Sequence, residues 1–174
     1  VGISLYNVVR KLKPRTIVEF GVLNAYSTVS MGLALRDNGH GKIMAYDLWE
    51  QYEYKSSSKA SAQKSIEAYG LEGIVTLGTG DIFSWLDSPA ECDLLHIDIS
   101  NDGDKLSRVF ERIEEIHSFN PVVLFEGGTP QRDEVEWMVK YNRAPIVPIQ
   151  KKFQYEIIDQ NYPGLSMYGG TSCE

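Results

Sequence analysis

The sequence predicts an α/β protein: a doubly wound, mostly parallel sheet that ends in an antiparallel hairpin. Three observations carry that expectation. Short β-branched runs alternate with longer amphipathic segments, the runs are bounded by Gly, Pro or Asp, and two strand-like runs near the end lie too close for a helical crossover. The runs cover residues 16–20 (after the break at Pro14), 42–47, 73–77, 93–98 and 122–126. Their near-continuous apolar character suits strands covered on both faces. Between them, residues 27–36 carry Val29, Met31, Leu33, Ala34 and Leu35 and stop at Asn38-Gly39, a helix exit. Residues 57–69 end at Gly70, and 104–118 place Leu106, Val109, Phe110, Ile113 and Ile116 on one stripe of a charged helix. Residues 132–141 repeat that pattern with Val135, Trp137, Met138 and Val139. The expected hairpin pairs 145–149 with 153–158 across Gln150-Lys151-Lys152, and 161–164 with 168–170 read as a flexible tail.

The 174 residues suffice for a single domain, with its core over about 14–158 and 43% apolar residues. Seventeen Lys and Arg against 24 Asp and Glu leave a net charge of −7. That balance argues against nucleic acid and anionic membrane as partners, because both need a basic face. Cys92 and Cys173 are too few for a disulfide framework, so a reducing, cytoplasmic setting is expected. No apolar run approaches the roughly 20 residues of a membrane span, and the first residues do not read as a signal peptide.

In open α/β sheets ligands bind beyond the carboxyl ends of the strands. Here those ends read Glu19-Phe20-Gly21, Asp47, Gly78-Thr79-Gly80-Asp81, Asp98 and Glu126-Gly127-Gly128, an acid at each of the five. The first turn lacks the G-x-G-x-x-G of a dinucleotide site: only Gly21 is present, Ala25 holds the later small position, and no phosphate-binding lysine follows. Glu19 would repel a diphosphate but pair with an ammonium. Asp47 can accept ribose hydroxyls, and Asp81 an adenine amino group. Ammonium, ribose and adenine without phosphate describe S-adenosylmethionine.

The stretch Val18-Glu19-Phe20-Gly21-Val22-Leu23-Asn24-Ala25-Tyr26-Ser27 resembles the first motif of class I S-adenosylmethionine-dependent methyltransferases, above all small-molecule O-methyltransferases with Glu-x-Gly-x-x-x-Gly-x-Ser. Asp47, Gly80-Asp81 and Leu94-Leu95-His96-Ile97-Asp98 are similar to the later motifs, in order and spacing. The resemblance spans about 14–158 and implies a seven-stranded, Rossmann-like methyltransferase fold with the terminal hairpin. It implies Glu19 and Gly21 beside the methionine part of the cofactor with Ser27 nearby, Asp47 at the ribose, and Asp81 at the adenine. Asp98 would lie near the transferable methyl as a metal ligand or substrate contact. Two departures stand out: Ala25 replaces the second glycine, and Glu126-Gly127 replaces the paired Asp or Asp-Asn of metal-dependent relatives.

Mg²⁺ or another divalent cation needs converging oxygens; Asp98, Asp102 and Glu126 could supply them, with Asn101 as a neutral fourth. Asp102 reads equally as the cap of the helix near Asp104, and Asp81 as the cap of 82–86. His96, on one strand face with Asp98, reads as a buried hydrogen-bonded histidine or as a general base. The aromatic, charged segment 49–55 reads as a cover for the adenine edge, an acceptor wall or a packed loop, and 83–86 as core packing. The expected function is methyl transfer to a small-molecule acceptor, at a hydroxyl oxygen. The alternatives are a non-catalytic methyltransferase-like binding protein and an NAD-dependent oxidoreductase, the latter disfavoured by the missing glycines. Acceptor choice would fall to short loops, to residues preceding Val1, or to a neighbouring subunit of a homo-oligomer.

Overall fold

The computed structural model describes residues 1–51 and 57–169. Its strands are β1 (Thr16–Phe20), β2 (Lys42–Asp47), β3 (Val75–Thr79), β4 (Leu94–Ile97), β5 (Val122–Glu126), β6 (Glu156–Asp159) and β7 (Leu165–Tyr168). They form one sheet in the order β3-β2-β1-β4-β5-β7-β6. The first five are parallel, while β7 runs antiparallel to both β5 and β6. The chain winds outward from β1 to β3 and returns to β4 beside β1, so the switch in strand order lies between β1 and β4.

The helices are α1 (Gly2–Leu12), α2 (Tyr26–Asn38), α3 (Lys59–Ala68), α4 (Ile82–Trp85), α5 (Gly103–Glu115), α6 (Pro130–Asp133), α7 (Glu136–Lys140) and α8 (Gln150–Phe153). Side chains alternate across the sheet and both faces are covered. Ile17, Ile43 and Leu94 join Leu5, Val9 and Leu35 of α1 and α2 on one side. Val18, Leu95, Val123 and Phe125 join Leu106, Val109 and Phe110 of α5 on the other. This two-sided burial is what the continuous apolar runs require.

The doubly wound sheet and its antiparallel C-terminal pair match expectation, with local corrections. Residues 2–12 form a helix ahead of the expected core; Leu5, Val8, Val9 and Leu12 already have helical spacing. The third strand covers 75–79 rather than 73–77, because Ile74 and Val75 both donate to Leu71 O and hold Gly73 and Ile74 in a turn. The single helix expected over 132–141 is two short ones, broken at Val135, whose backbone is extended.

The hairpin is real but lies later in the chain. Residues 147–149 form a 3-10 turn and 150–153 make α8; the paired strands are β6 and β7. Asp133 takes the N–H groups of Ile146 and Val147 at 2.7 and 2.8 Å, and Pro148 has none, so this run has few donors for a ladder. The expected tail instead supplies an internal strand: Leu165 and Ser166 of β7 are fully buried between β5 and β6. Gly170 and Cys173 lie outside the described residues.

Candidate functional site

At the strand switch the backbone itself shapes the site. Gly21 follows β1 with φ +89°, and a Cβ there would sit 1.8 Å from the Asp98 carbonyl oxygen, so only glycine fits. Asp47, at the end of β2, folds its carboxylate onto the same turn. Its Oδ2 accepts from Val22 N at 2.8 Å and Leu23 N at 3.0 Å, and its Oδ1 from Trp49 N at 3.0 Å. Leu23 and Ala25 both have left-handed backbones, and Ala25 is the residue from which α2 starts. That conformation explains why a glycine is the natural occupant of position 25.

A cavity of about 1290 Å³ opens above this turn, walled among others by Gly21, Asp47, Trp49, Asp81, Asp98 and Arg132. Glu19 lies beneath this wall and is fully buried. Its carboxylate accepts from Ser27 Oγ at 2.6 Å and Thr28 Oγ1 at 2.5 Å, and meets His96 Nδ1 at 3.0 Å. The structure therefore gives Glu19 internal partners, with Ser27 and His96 between it and the cavity. Burial disfavours the His96 imidazolium, yet the Glu19 hydrogen bond and charge raise its pKa above the ordinary histidine value. Asp81 caps α4, accepting from Phe83 N and Ser84 N through Oδ1 and from Ser84 Oγ through Oδ2. The Ser84 hydroxyl is the main reason its pKa lies below the usual carboxylate value. Of the aromatic segment, Trp49 is buried, its indole N–H donating to Gly78 O at 2.8 Å, whereas residues 52–55 lie outside the described residues.

The far end of the cavity is built by β4 and β5. Burial, then the charge and hydrogen bond of Glu126, push the Asp98 carboxyl up to about 8. Arg132, at 3% exposure, donates from Nε to Glu126 Oε1 at 2.5 Å and from an Nη to Asn101 O at 3.3 Å, and its guanidinium lies 4.8 Å from the Trp137 ring centroid. Buried Asn101 bridges the two strand ends, giving its amide protons to Ile97 O and Glu126 O. Asp102 Oδ1 caps α5 through Lys105 N, while Oδ2 faces Lys105 Nζ at 3.7 Å and Arg143 Nη1 at 3.9 Å. Burial pulls the Lys105 ammonium below its ordinary pKa.

This arrangement does not fit the expected divalent-cation set. The Arg132 guanidinium already occupies the Glu126 carboxylate, Asp102 is engaged in its cap, and the Asn101 amide nitrogen is committed to two carbonyls. Among the described residues no three His, Cys, Asp or Glu side chains converge as metal ligands do. Sequence reasoning missed Arg132, Trp137, Lys105 and Arg143 because they follow strand ends without a motif. The buried acids were the available signal, since a buried carboxylate needs a cationic or hydrogen-bonding partner.

A family model described as a methyltransferase domain matches residues 18–126, and the chain belongs to that family. Solved structures share the fold at low identity. The O-methyltransferase TomG from Streptomyces achromogenes, in complex with SAM, is 17% identical with a TM-score of 0.66, over 98% of this chain and 79% of that one. SAH-bound PaMTH1 from Podospora anserina is 14% identical with a TM-score of 0.68, over 98% and 78%. An O-methyltransferase from Bacillus cereus, in complex with SAH, is 18% identical with a TM-score of 0.64, over 98% and 80%. A comparison with curated proteins found no match.

Proposed function

We propose that this chain transfers a methyl group from S-adenosylmethionine to a hydroxyl oxygen of a small-molecule acceptor. The observation that carries the reading is the cavity at the β1–β4 switch. It runs without interruption from Asp47 and Asp81 to Asp98, and at about 1290 Å³ it exceeds the roughly 300–1,000 Å³ of ordinary ligand sites. There is room for a cofactor and an acceptor together. Neighbours of the same fold that were solved with SAM or SAH support this choice of cofactor. The Val22 and Leu23 amides are turned onto Asp47, which disfavours a pyrophosphate and hence NAD.

In this reading Gly21 and Ser27 border the methionine part of the cofactor, Asp47 its ribose and Asp81 its adenine. Glu19 acts from behind as a positioning residue, through Ser27 and His96. When bound, S-adenosylmethionine supplies an electrophilic methyl on a sulfonium, itself a good leaving group. The protein's tasks are to align the acceptor oxygen and to take its proton. Asp98, at the end of β4, is the proton acceptor, with His96 behind it in the same network of acids. Arg132 holds Glu126 where a metal-dependent enzyme would hold its cation.

Titration calorimetry with S-adenosylhomocysteine and, separately, NAD tests the cofactor assignment. Binding of the former alone is expected, and absence of heat with it would overturn the reading. With an acceptor in hand, excess EDTA should leave turnover within twofold of the untreated enzyme. A tenfold loss restored by Mg²⁺ would show that Arg132 does not stand in for a cation.

A further inference from the structure

We propose that the β4–β5 end of the cavity binds an anionic group, a carboxylate or phosphate, on Arg143 and Lys105 beside Arg132. That this group belongs to the methyl acceptor rests on the methyl-transfer reading; the binding itself does not.

All three cations line the same cavity wall, together with Trp137. Asp98, Asp102 and Glu126 lie among them, so what distinguishes this wall is not its net charge but the cationic N–H groups left unpaired. The acids beside them do not use up their N–H groups. Glu126 is held by Arg132 Nε. Asp102 is buried, fixed by its cap on α5, and offers one oxygen to both Lys105 and Arg143 at 3.7 and 3.9 Å, beyond hydrogen-bond length. Among the described residues the Arg143 side chain makes no hydrogen bond, although it is only about half exposed. Lys105 Nζ donates to Ser100 O at 2.7 Å and, at 3.4 Å, to Ile99 O, two bonds from an ammonium with three protons. A second observation points the same way: Arg132 Nη1 is buried without a hydrogen-bond partner in a residue 3% exposed. A buried guanidinium N–H without an acceptor is costly, and an anion nearby lowers that cost.

The site is also built rather than incidental. Gly103 N donates to Ala144 O at 2.8 Å, and a Cβ on Gly103 would lie 2.3 Å from Pro145 O. The loop carrying Arg143 thus rests directly on the start of α5, where Lys105 lies. Arg143 N is tied to Met138 O at 2.8 Å, and Asp133 holds the two residues that follow Pro145. An arginine held in this way presents a planar fork suited to two anion oxygens. Trp137, stacked against Arg132, offers an apolar wall for the body that carries the charge.

The test uses the whole chain and three simple probes: benzoate, phenyl phosphate and neutral benzamide, titrated calorimetrically with and without S-adenosylhomocysteine. At least one anion should bind tenfold or more tightly than benzamide, and the tighter of the two identifies the charged group. Arg143→Gln should reduce that preference to within twofold, while Arg143→Lys retains part of it. The affinity of both variants for S-adenosylhomocysteine should match wild type, which also reports an intact fold. Equal or undetectable binding of all three probes, or an undiminished preference in Arg143→Gln, would overturn the proposal. If S-adenosylhomocysteine fails to bind while the anion preference holds, the methyl-transfer reading falls and the anion site stands.

Discussion

Replacement Asp98→Asn is expected to lower kcat for methyl transfer by about 10²–10⁴, the range of a lost general base, while S-adenosylhomocysteine affinity stays within about threefold. The carboxyl lies at the end of β4, on the cavity wall, and the Glu126 beside it is its principal charged neighbour. Burial and that neighbouring acid raise Asp98 to about 8, so the proton is retained at neutral pH and lost above it. A base must be deprotonated to act. The expected kcat/KM therefore rises about tenfold per pH unit below 8 and levels off above it. The inflection belongs to the Asp98–Glu126 pair rather than to one carboxyl. Glu126→Gln removes the like charge and should move the inflection to lower pH, a shift that a purely structural role would not produce. A rate flat from pH 6 to 9 would remove Asp98 from the proton transfer.

Glu19→Ala is expected to destabilise the fold by about 3–5 kcal/mol, the range for breaking a buried charged network by removing one partner. The truncation strands the buried Thr28 hydroxyl and His96 Nδ1 at once, and takes its carboxylate partner from the partly buried Ser27 hydroxyl at the cavity wall. Glu19→Gln preserves the shape but offers one acceptor oxygen in place of two, so a smaller loss of about 1–3 kcal/mol is expected. Urea unfolding of the three proteins measures both. Because Ser27 and Thr28 open α2 beside the Gly21 turn, cofactor affinity should fall in parallel with stability. A loss below 1 kcal/mol in Glu19→Ala would show that the network does not hold that turn in place.

These residues also show what could and could not be read in advance. The alternation of apolar runs and helical stripes is a local property of the chain, so the order of elements and the parallel sheet followed from it. Glu19 is legible as an acid in need of a partner, because an acid within Ile17-Val18-Glu19-Phe20 has no ordinary reason to be there. Its partners are not legible: His96 comes within range through the β1–β4 pairing, and Thr28 through the turn that carries β1 into α2. Asp81 and Asp102 were each open between cap and ligand, and both are seen as caps, because short-range N–H groups are always at hand. Arg132, six residues beyond Glu126, belongs to no periodic pattern. The displaced hairpin has a similar origin. Ile146-Val147 looks like a strand, but Asp133 claims its N–H groups, and no local rule reports a competitor thirteen residues away.

The placement of β7 between β5 and β6 has a consequence for how the molecule is made. During synthesis the first five strands can assemble as they emerge, but the outer flank of β5 keeps its backbone groups unpaired until residues 165–168 arrive. Strand β6 emerges earlier yet has no partner until β7 slots in beside it. For that interval the nascent chain presents an open, apolar ribbon edge, the feature most prone to recruit another chain. Completion of the sheet thus waits for β7, and conditions that delay its pairing should affect the yield of soluble protein more than its final stability.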